Sequence, residues 1–131
     1  MKILTLKMRI LVLWIFTAVS ITTECAFYLY EKGQIEKVMS GEIAAGLVLW
    51  TCRWLIPFVL AFLTVTLRDK ANRRTNLVFG AIFVAFNIFQ FVMRAALGVD
   101  LPPFLIIIIL SSTVAAALIL WYAIRWPKDE E

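Results

Sequence analysis

The chain contains no histidine and only two cysteines among its 131 residues. Without an imidazole it has no histidine ligand for haem or a metal, and no histidine that could act as an acid or base near neutral pH. Two cysteines cannot by themselves complete a structural zinc site or an iron–sulfur centre. A Walker loop and a dinucleotide-binding fingerprint are missing as well. These absences predict a chain that carries no cofactor and no metal site.

Charged residues are also scarce, at 17% of the chain, whereas 63% of the residues are hydrophobic. The mean hydropathy is +0.90. A soluble domain is roughly half apolar and a quarter charged. The composition therefore predicts an integral membrane protein whose surroundings are a lipid bilayer. The net charge of +4 does not indicate a nucleic-acid partner, because the basic residues gather at the ends of the apolar stretches, where they would set membrane orientation.

Four apolar stretches reach the roughly 20 residues that a helix needs to cross the hydrocarbon. They are Ile10–Tyr30, Ile43–Leu67, Leu77–Leu97 and Leu101–Ile124. Polar segments such as Arg68–Asn76 separate them, and because each link is short, neighbouring helices should pack antiparallel. The sequence thus predicts one all-α domain over residues 1–131, a four-transmembrane-helix antiparallel bundle. The first stretch is long for the core of a signal peptide, so we expect it to be a span.

Lysine and arginine are distributed unequally between the two ends of these spans, with nine on one side and two on the other. The richer side carries Lys2, Lys7, Arg9, Arg68, Lys70, Arg73, Arg74, Arg125 and Lys128. The poorer side carries Lys32 and Lys37. Because cytoplasmic loops are enriched in basic residues, this bias predicts a multi-pass protein of a prokaryotic plasma (inner) membrane with both termini in the cytoplasm.

The spans contain ionisable residues, which are costly in hydrocarbon and need a partner or a function. At 1.5 Å per residue, one polar residue of each span falls about 20 Å from its cytoplasmic end. These four are Glu24, Arg53, Gln90 and Ser111. We therefore expect a buried polar layer, the candidate substrate site, that comprises Glu24, Arg53, Asn87, Gln90, Arg94, Ser111 and Ser112. No residue is predicted to be catalytic.

The first two spans form a hairpin in which Glu24 can oppose Arg53. An isolated buried charge costs several kcal/mol, so an ion pair between them is expected. The same register brings Cys25 level with Cys52, which we interpret as small buried residues in preference to a disulfide. Two interpretations of the whole layer stay open. It is either a ligand-binding pocket or a purely structural layer, because polar groups between helices can fix helix register without binding a ligand.

Four groups of residues carry a resemblance to a known family. They are Leu13-Trp14-Ile15-Phe16, Glu24 late in the first span, Ala71-Asn72-Arg73 with Asn76, and Trp121-Tyr122-Ala123 with Trp126-Pro127. In these pieces, spread over nearly the whole chain, the sequence resembles a family of small four-helix bacterial and archaeal integral membrane proteins with no established activity. It is more loosely similar to DoxX-like membrane proteins in its size and its four spans.

The function that these features favour is the binding or transport of a small solute, ion or lipid through the layer around Glu24 and Arg53. A second hypothesis is a structural or assembly subunit of a membrane complex with no transport role. A third is a DoxX-like membrane redox protein, and it is the weakest because no cofactor ligands or nucleophile–base pair are visible. A homo-oligomer or a membrane-protein partner stays open, since four short helices enclose little volume.

Overall fold

The structure is a computed structural model, and it describes residues 2–29, 34–41, 44–98 and 102–127. Over these residues the regular structure is helical throughout. The helices, in chain order, are α1 (Ile3–Leu29), α2 (Gln34–Ser40), α3 (Ala44–Thr66), α4 (Asp69–Ala96) and α5 (Pro103–Ile124). The predicted all-α class is therefore confirmed.

Three of the described helices are long and apolar enough to cross a membrane. They are Ile3–Ala26 within α1, Asp69–Ala96 and Pro103–Ile124. Helix α3 is continuous over 23 residues, and Leu55–Thr66 within it is a shorter apolar segment. These lengths and compositions are those of a membrane protein.

Two helices begin earlier than the apolar stretches indicate. Helix α1 begins at Ile3 and α4 begins at Asp69, so most of Arg68–Asn76, expected as a polar link between two spans, is helical. The polar side chains of this segment are compatible with a helix because they find partners on other helices. Asp69 Oδ1 forms an ion pair with Lys7 Nζ at 2.7 Å. The side-chain amide of Asn72 donates a hydrogen bond to the Thr64 carbonyl of α3. Hydropathy alone cannot predict these contacts.

A short helix also occupies the link after the first span, where no helix was predicted. Helix α2 covers Gln34–Ser40, and Gly41 directly after it has a φ of 78°. Glycine adopts this left-handed conformation without a steric penalty and commonly ends helices.

Contacts between side chains define how the long helices are arranged. Helix α1 packs against both α3 and α5, and α4 packs against α5. Lys7 of α1 meets Asp69 near the start of α4, and Glu24 of α1 meets Gln90 late in α4, so these two helices run in the same direction. Helices α4 and α5 run in opposite directions and lie close together at Gly80. A Cβ atom there would lie only 3.3 Å from the backbone nitrogen of Leu120.

The outer surface is far more apolar than that of a soluble protein, and several polar side chains are buried beside a hydrophobic core. Many large apolar side chains point outward, among them Phe62, Phe89 and Ile107, each more than half exposed. Among the side chains that the structure describes, the buried polar ones are Thr17, Ser20, Glu24, Thr64, Asn72, Asn76, Asn87 and Ser112. Because a large contiguous apolar surface is unfavourable in water, this arrangement suits a chain surrounded by acyl chains.

Candidate functional site

The carboxylate of Glu24 is the centre of a polar cluster that draws on three helices. Arg53 of α3 donates from Nη2 to Glu24 Oε2 at 3.0 Å. Gln90 of α4 donates from Nε2 to Glu24 Oε1 at 3.2 Å, and Arg94 Nη2 lies 3.6 Å from that same oxygen. The expected contact between Glu24 and Arg53 is thus present, and we call these four residues the Glu24 cluster.

Burial differs sharply between the acidic and basic members of the cluster. The Glu24 side chain is 5% exposed, whereas those of Arg53 and Arg94 are 18% and 24% exposed. The carboxylate therefore sits on the inside and the two guanidinium groups lie between it and the exterior. Arg53 also places its guanidinium carbon 5.2 Å from the centroid of the Phe86 ring, a cation–π contact that helps to orient it.

The side-chain amide of Gln90 forms a hydrogen bond through its nitrogen but not through its oxygen. Its Oε1 atom is buried and has no hydrogen-bond partner. Turning the amide over would not help, because the carbonyl oxygen would then face the Glu24 carboxylate, and two acceptors would meet. The cluster therefore contains a buried acceptor without a donor, and leaving such an atom without a hydrogen bond costs free energy.

The remaining predicted layer residues divide into two groups. Asn87 of α4 donates to Ser112 Oγ of α5 at 3.2 Å, and both residues are buried. Ser111, in contrast, lies in a surface groove between α5 and α1, beside Leu13 and Phe16. The reason is the 100° step between successive helical residues, which turns Ser111 away from the side of α5 that meets Asn87.

Thr17 and Ser20, which lie on the same face of α1 as Glu24, are buried, but their hydroxyl groups bond within the helix itself. Thr17 donates to the Leu13 carbonyl and Ser20 to the Phe16 carbonyl, each four residues back in the same helix. These hydroxyls are therefore satisfied without a partner on another helix. The side chain of Tyr28, four residues after Glu24 on the same helix, and the side chain of Cys52 lie outside the part of the chain that the structure describes. Cys25 is a free thiol.

A second buried polar network lies nearer the start of α1, and it was not predicted as a site. The Trp14 indole donates to Asn76 Oδ1 at 2.6 Å, and Asn76 Nδ2 donates to Asn72 Oδ1 at 2.6 Å. Asn72 in turn donates to the Thr64 carbonyl. Both asparagine amides in this network have partners, so the network is a packing element linking α1, α3 and α4. The signal for it was the spacing of the two asparagines by four residues, one turn apart on α4.

No group of three or more His, Cys, Asp or Glu side chains that could hold a metal ion is found among the described residues. With one carboxylate, two guanidinium groups and one amide, the Glu24 cluster is suited to ionic recognition and hydrogen bonding. Comparisons of this chain with protein-family models, with curated proteins and with solved structures each found no match.

Proposed function

We propose that this protein binds and carries a small organic anion through the Glu24 cluster of a four-span membrane bundle. Helix α3 supplies the fourth span in this proposal, because its 23 residues would extend about 35 Å, slightly more than the hydrocarbon thickness of about 30 Å. Both termini face the cytoplasm of a prokaryotic cell, as the positive-inside bias favours.

The position of Arg94 in the Glu24 cluster supports an anionic ligand. Arg53 and Arg94 both approach the buried Glu24 carboxylate, and Arg94 does so only at 3.6 Å. A guanidinium group that is loosely paired in a membrane interior is costly, so a mobile anion would be favoured beside Arg94. The loose pairing of Arg94 is the observation that carries the proposal.

Arg94 is the residue best placed to meet the ligand. Its 3.6 Å approach to Glu24 is longer than the 2.7–2.9 Å typical of a charge-assisted hydrogen bond. The Arg94 side chain is also the more exposed of the two, at 24%. A guanidinium group has five N–H donors arranged to grip a carboxylate or phosphate. Arg94 can therefore bind an incoming anion while Arg53 keeps Glu24 in place.

Gln90 narrows the chemical class of the ligand. Its unpartnered Oε1 atom would accept a hydrogen bond from a hydroxyl or N–H group. An anion that also carries such a donor would satisfy both Arg94 and Gln90. A hydroxycarboxylate fits this description, and chloride lacks the donor.

Thermal unfolding of the purified chain in detergent tests the proposal, with lactate, phosphate and chloride added at constant ionic strength. We expect lactate to raise the unfolding temperature in a saturable way and chloride to have a much smaller effect. Saturation at 100 times the dissociation constant would stabilise the folded state by about 2.7 kcal/mol. Arg94→Gln should remove the effect.

Arg125→Gln is the matched control, because Arg125 is an exposed arginine at the end of α5 that stacks on Trp121 at 4.0 Å. It lies outside the Glu24 cluster and should leave the response to lactate unchanged. Equal responses of the unsubstituted chain and the Arg94→Gln variant to every anion would contradict the proposal.

A structural or assembly subunit is the second candidate function. It is favoured by the fact that both oxygens of Glu24 are already bonded within one chain, as a cluster that only fixes packing would require. This alternative predicts a stable, stoichiometric membrane-protein partner on gentle purification and no saturable effect of any anion.

A further inference from the structure

A continuous groove runs along the outer surface between α1 and α5. It consists of two depressions of about 460 and 430 Å³ that share Leu13 and Leu118 as lining residues. One depression continues along Phe16, Leu110 and Val114. We call the two together the α1–α5 groove, and its walls are largely aliphatic.

The length of the α1–α5 groove matches one leaflet of a bilayer. On α5 it extends from Leu110 to Tyr122, which corresponds to about 18 Å at 1.5 Å per residue. Half of the hydrocarbon core is about 15 Å thick. A groove of this length along two membrane-length helices would accommodate an acyl chain of one leaflet.

The α1–α5 groove is apolar along its length and cationic at one end. The second depression reaches Arg9 and Tyr122, and the guanidinium carbon of Arg9 lies 5.8 Å from the centroid of the Tyr122 ring. Lys7, two residues earlier, is already paired with Asp69. In the described part of the chain no carboxylate pairs with Arg9, so its charge is available to a ligand from outside.

We propose that the α1–α5 groove is a binding site for an anionic glycerophospholipid, with an acyl chain along Leu13 and Leu118 and the phosphate on Arg9. The Tyr122 hydroxyl, at the same end, can donate a second hydrogen bond to the headgroup. This site is separate from the Glu24 cluster and requires only that α1 and α5 cross the membrane side by side.

A second copy of the chain suits this groove less well than a lipid. A symmetric pair of parallel copies in a membrane has its two-fold axis along the membrane normal. The two Arg9 side chains would then lie at the same depth beside each other, and neither would gain an anion. A lipid phosphate neutralises the charge directly.

Native mass spectrometry of the full chain, released from nanodiscs with equal amounts of phosphatidylglycerol and phosphatidylcholine, tests the proposal. We expect the chain to retain phosphatidylglycerol in preference to phosphatidylcholine. Arg9→Gln should lower this preference about fivefold, as one basic residue at an anionic surface contributes. Leu118→Trp should fill the groove and reduce retention although Arg9 is still present.

Two control substitutions keep the test specific. Arg125→Gln removes an exposed cation at the same end of α5, and Val65→Trp adds an indole to an exposed position of α3. Both should leave lipid retention unchanged. The proposal is overturned if Arg125→Gln acts as strongly as Arg9→Gln or if the two lipids are retained equally. It is also overturned if the chain appears as a dimer that Leu118→Trp dissociates, since a second copy would then occupy the groove.

Discussion

The indole nitrogen of Trp14 donates a 2.6 Å hydrogen bond to Asn76, 62 positions further along the chain. Both residues are almost completely buried, at 0% and 1% exposure. The Trp14 ring also meets Phe83 edge to face, with the ring centroids 5.3 Å apart. A polar and an aromatic contact therefore hold the same indole against α4, and they set the register of α1 relative to α4.

Replacing Asn76 by leucine should destabilise the fold. The substitution would leave the Trp14 N–H and Asn72 Oδ1 without partners. Each buried polar group that loses its partner costs about 1–3 kcal/mol. Unfolding of the purified variant by heat or by a denaturing detergent would measure the loss. Thr75→Ala, a neighbouring change at a partly buried position, should have a much smaller effect.

A double-mutant cycle separates this hydrogen bond from a general packing defect. Trp14→Phe removes the donor, so Asn76→Leu should cost less in the Trp14→Phe background than in the unsubstituted chain. The expected coupling is about 0.5–3 kcal/mol. Strictly additive losses would show that the bond contributes nothing to stability.

Gly80→Leu should separate α4 from α5 and destabilise the bundle. A Cβ atom at Gly80 would already lie 3.3 Å from the backbone of Leu120, which cannot move away as a flexible side chain would. Overpacking of this kind costs about 1–3 kcal/mol, even though leucine favours helix formation more than glycine does. The control is Ala81→Leu at the next, exposed position. The same unfolding measurement should give nearly unchanged stability for that variant.

The proposed orientation predicts which single cysteines react with an impermeant thiol reagent added to intact cells. In a chain with Cys25 and Cys52 replaced by alanine, Ser40→Cys should be labelled from outside. Lys70→Cys should react only after the membrane is opened. Both positions are exposed in the fold, so access to the reagent depends on the membrane alone. Labelling of Lys70→Cys in intact cells would exclude cytoplasmic termini.

Much of the helical framework could be predicted from hydropathy, because an apolar stretch of membrane length has few alternatives to a helix. Helix α5 is the clearest example, as its predicted span Leu101–Ile124 differs from Pro103–Ile124 only at the start. The start of α4 could not be predicted in this way. Its first two turns are polar, and they fold as helix because Asp69, Asn72 and Asn76 find partners on other helices.

The Glu24 cluster was accessible from sequence for a different reason. A membrane interior forces a buried carboxylate to find a cation, and counting residues along two antiparallel helices identified Arg53 as the nearest one. The depth of a residue in the membrane does not say which side of its helix the residue lies on. Ser111 was therefore grouped with residues that it does not contact. The contact between Trp14 and Asn76 was missed because Asn76 was assigned to the polar link before the third span, so no buried partner was sought for it.

Glu24→Gln separates binding from transport in the proposed function. In the unsubstituted chain the carboxylate competes with an incoming anion for Arg94, and this competition lets the ligand leave. We therefore expect Glu24→Gln to bind lactate more tightly, seen as a larger rise in the unfolding temperature, and to transport it more slowly in proteoliposomes. Glu24→Gln combined with Arg53→Met removes both members of the ion pair, so the net charge equals that of the unsubstituted chain. If that double variant folds and transports as the unsubstituted chain does, the Glu24–Arg53 pair has only a packing role.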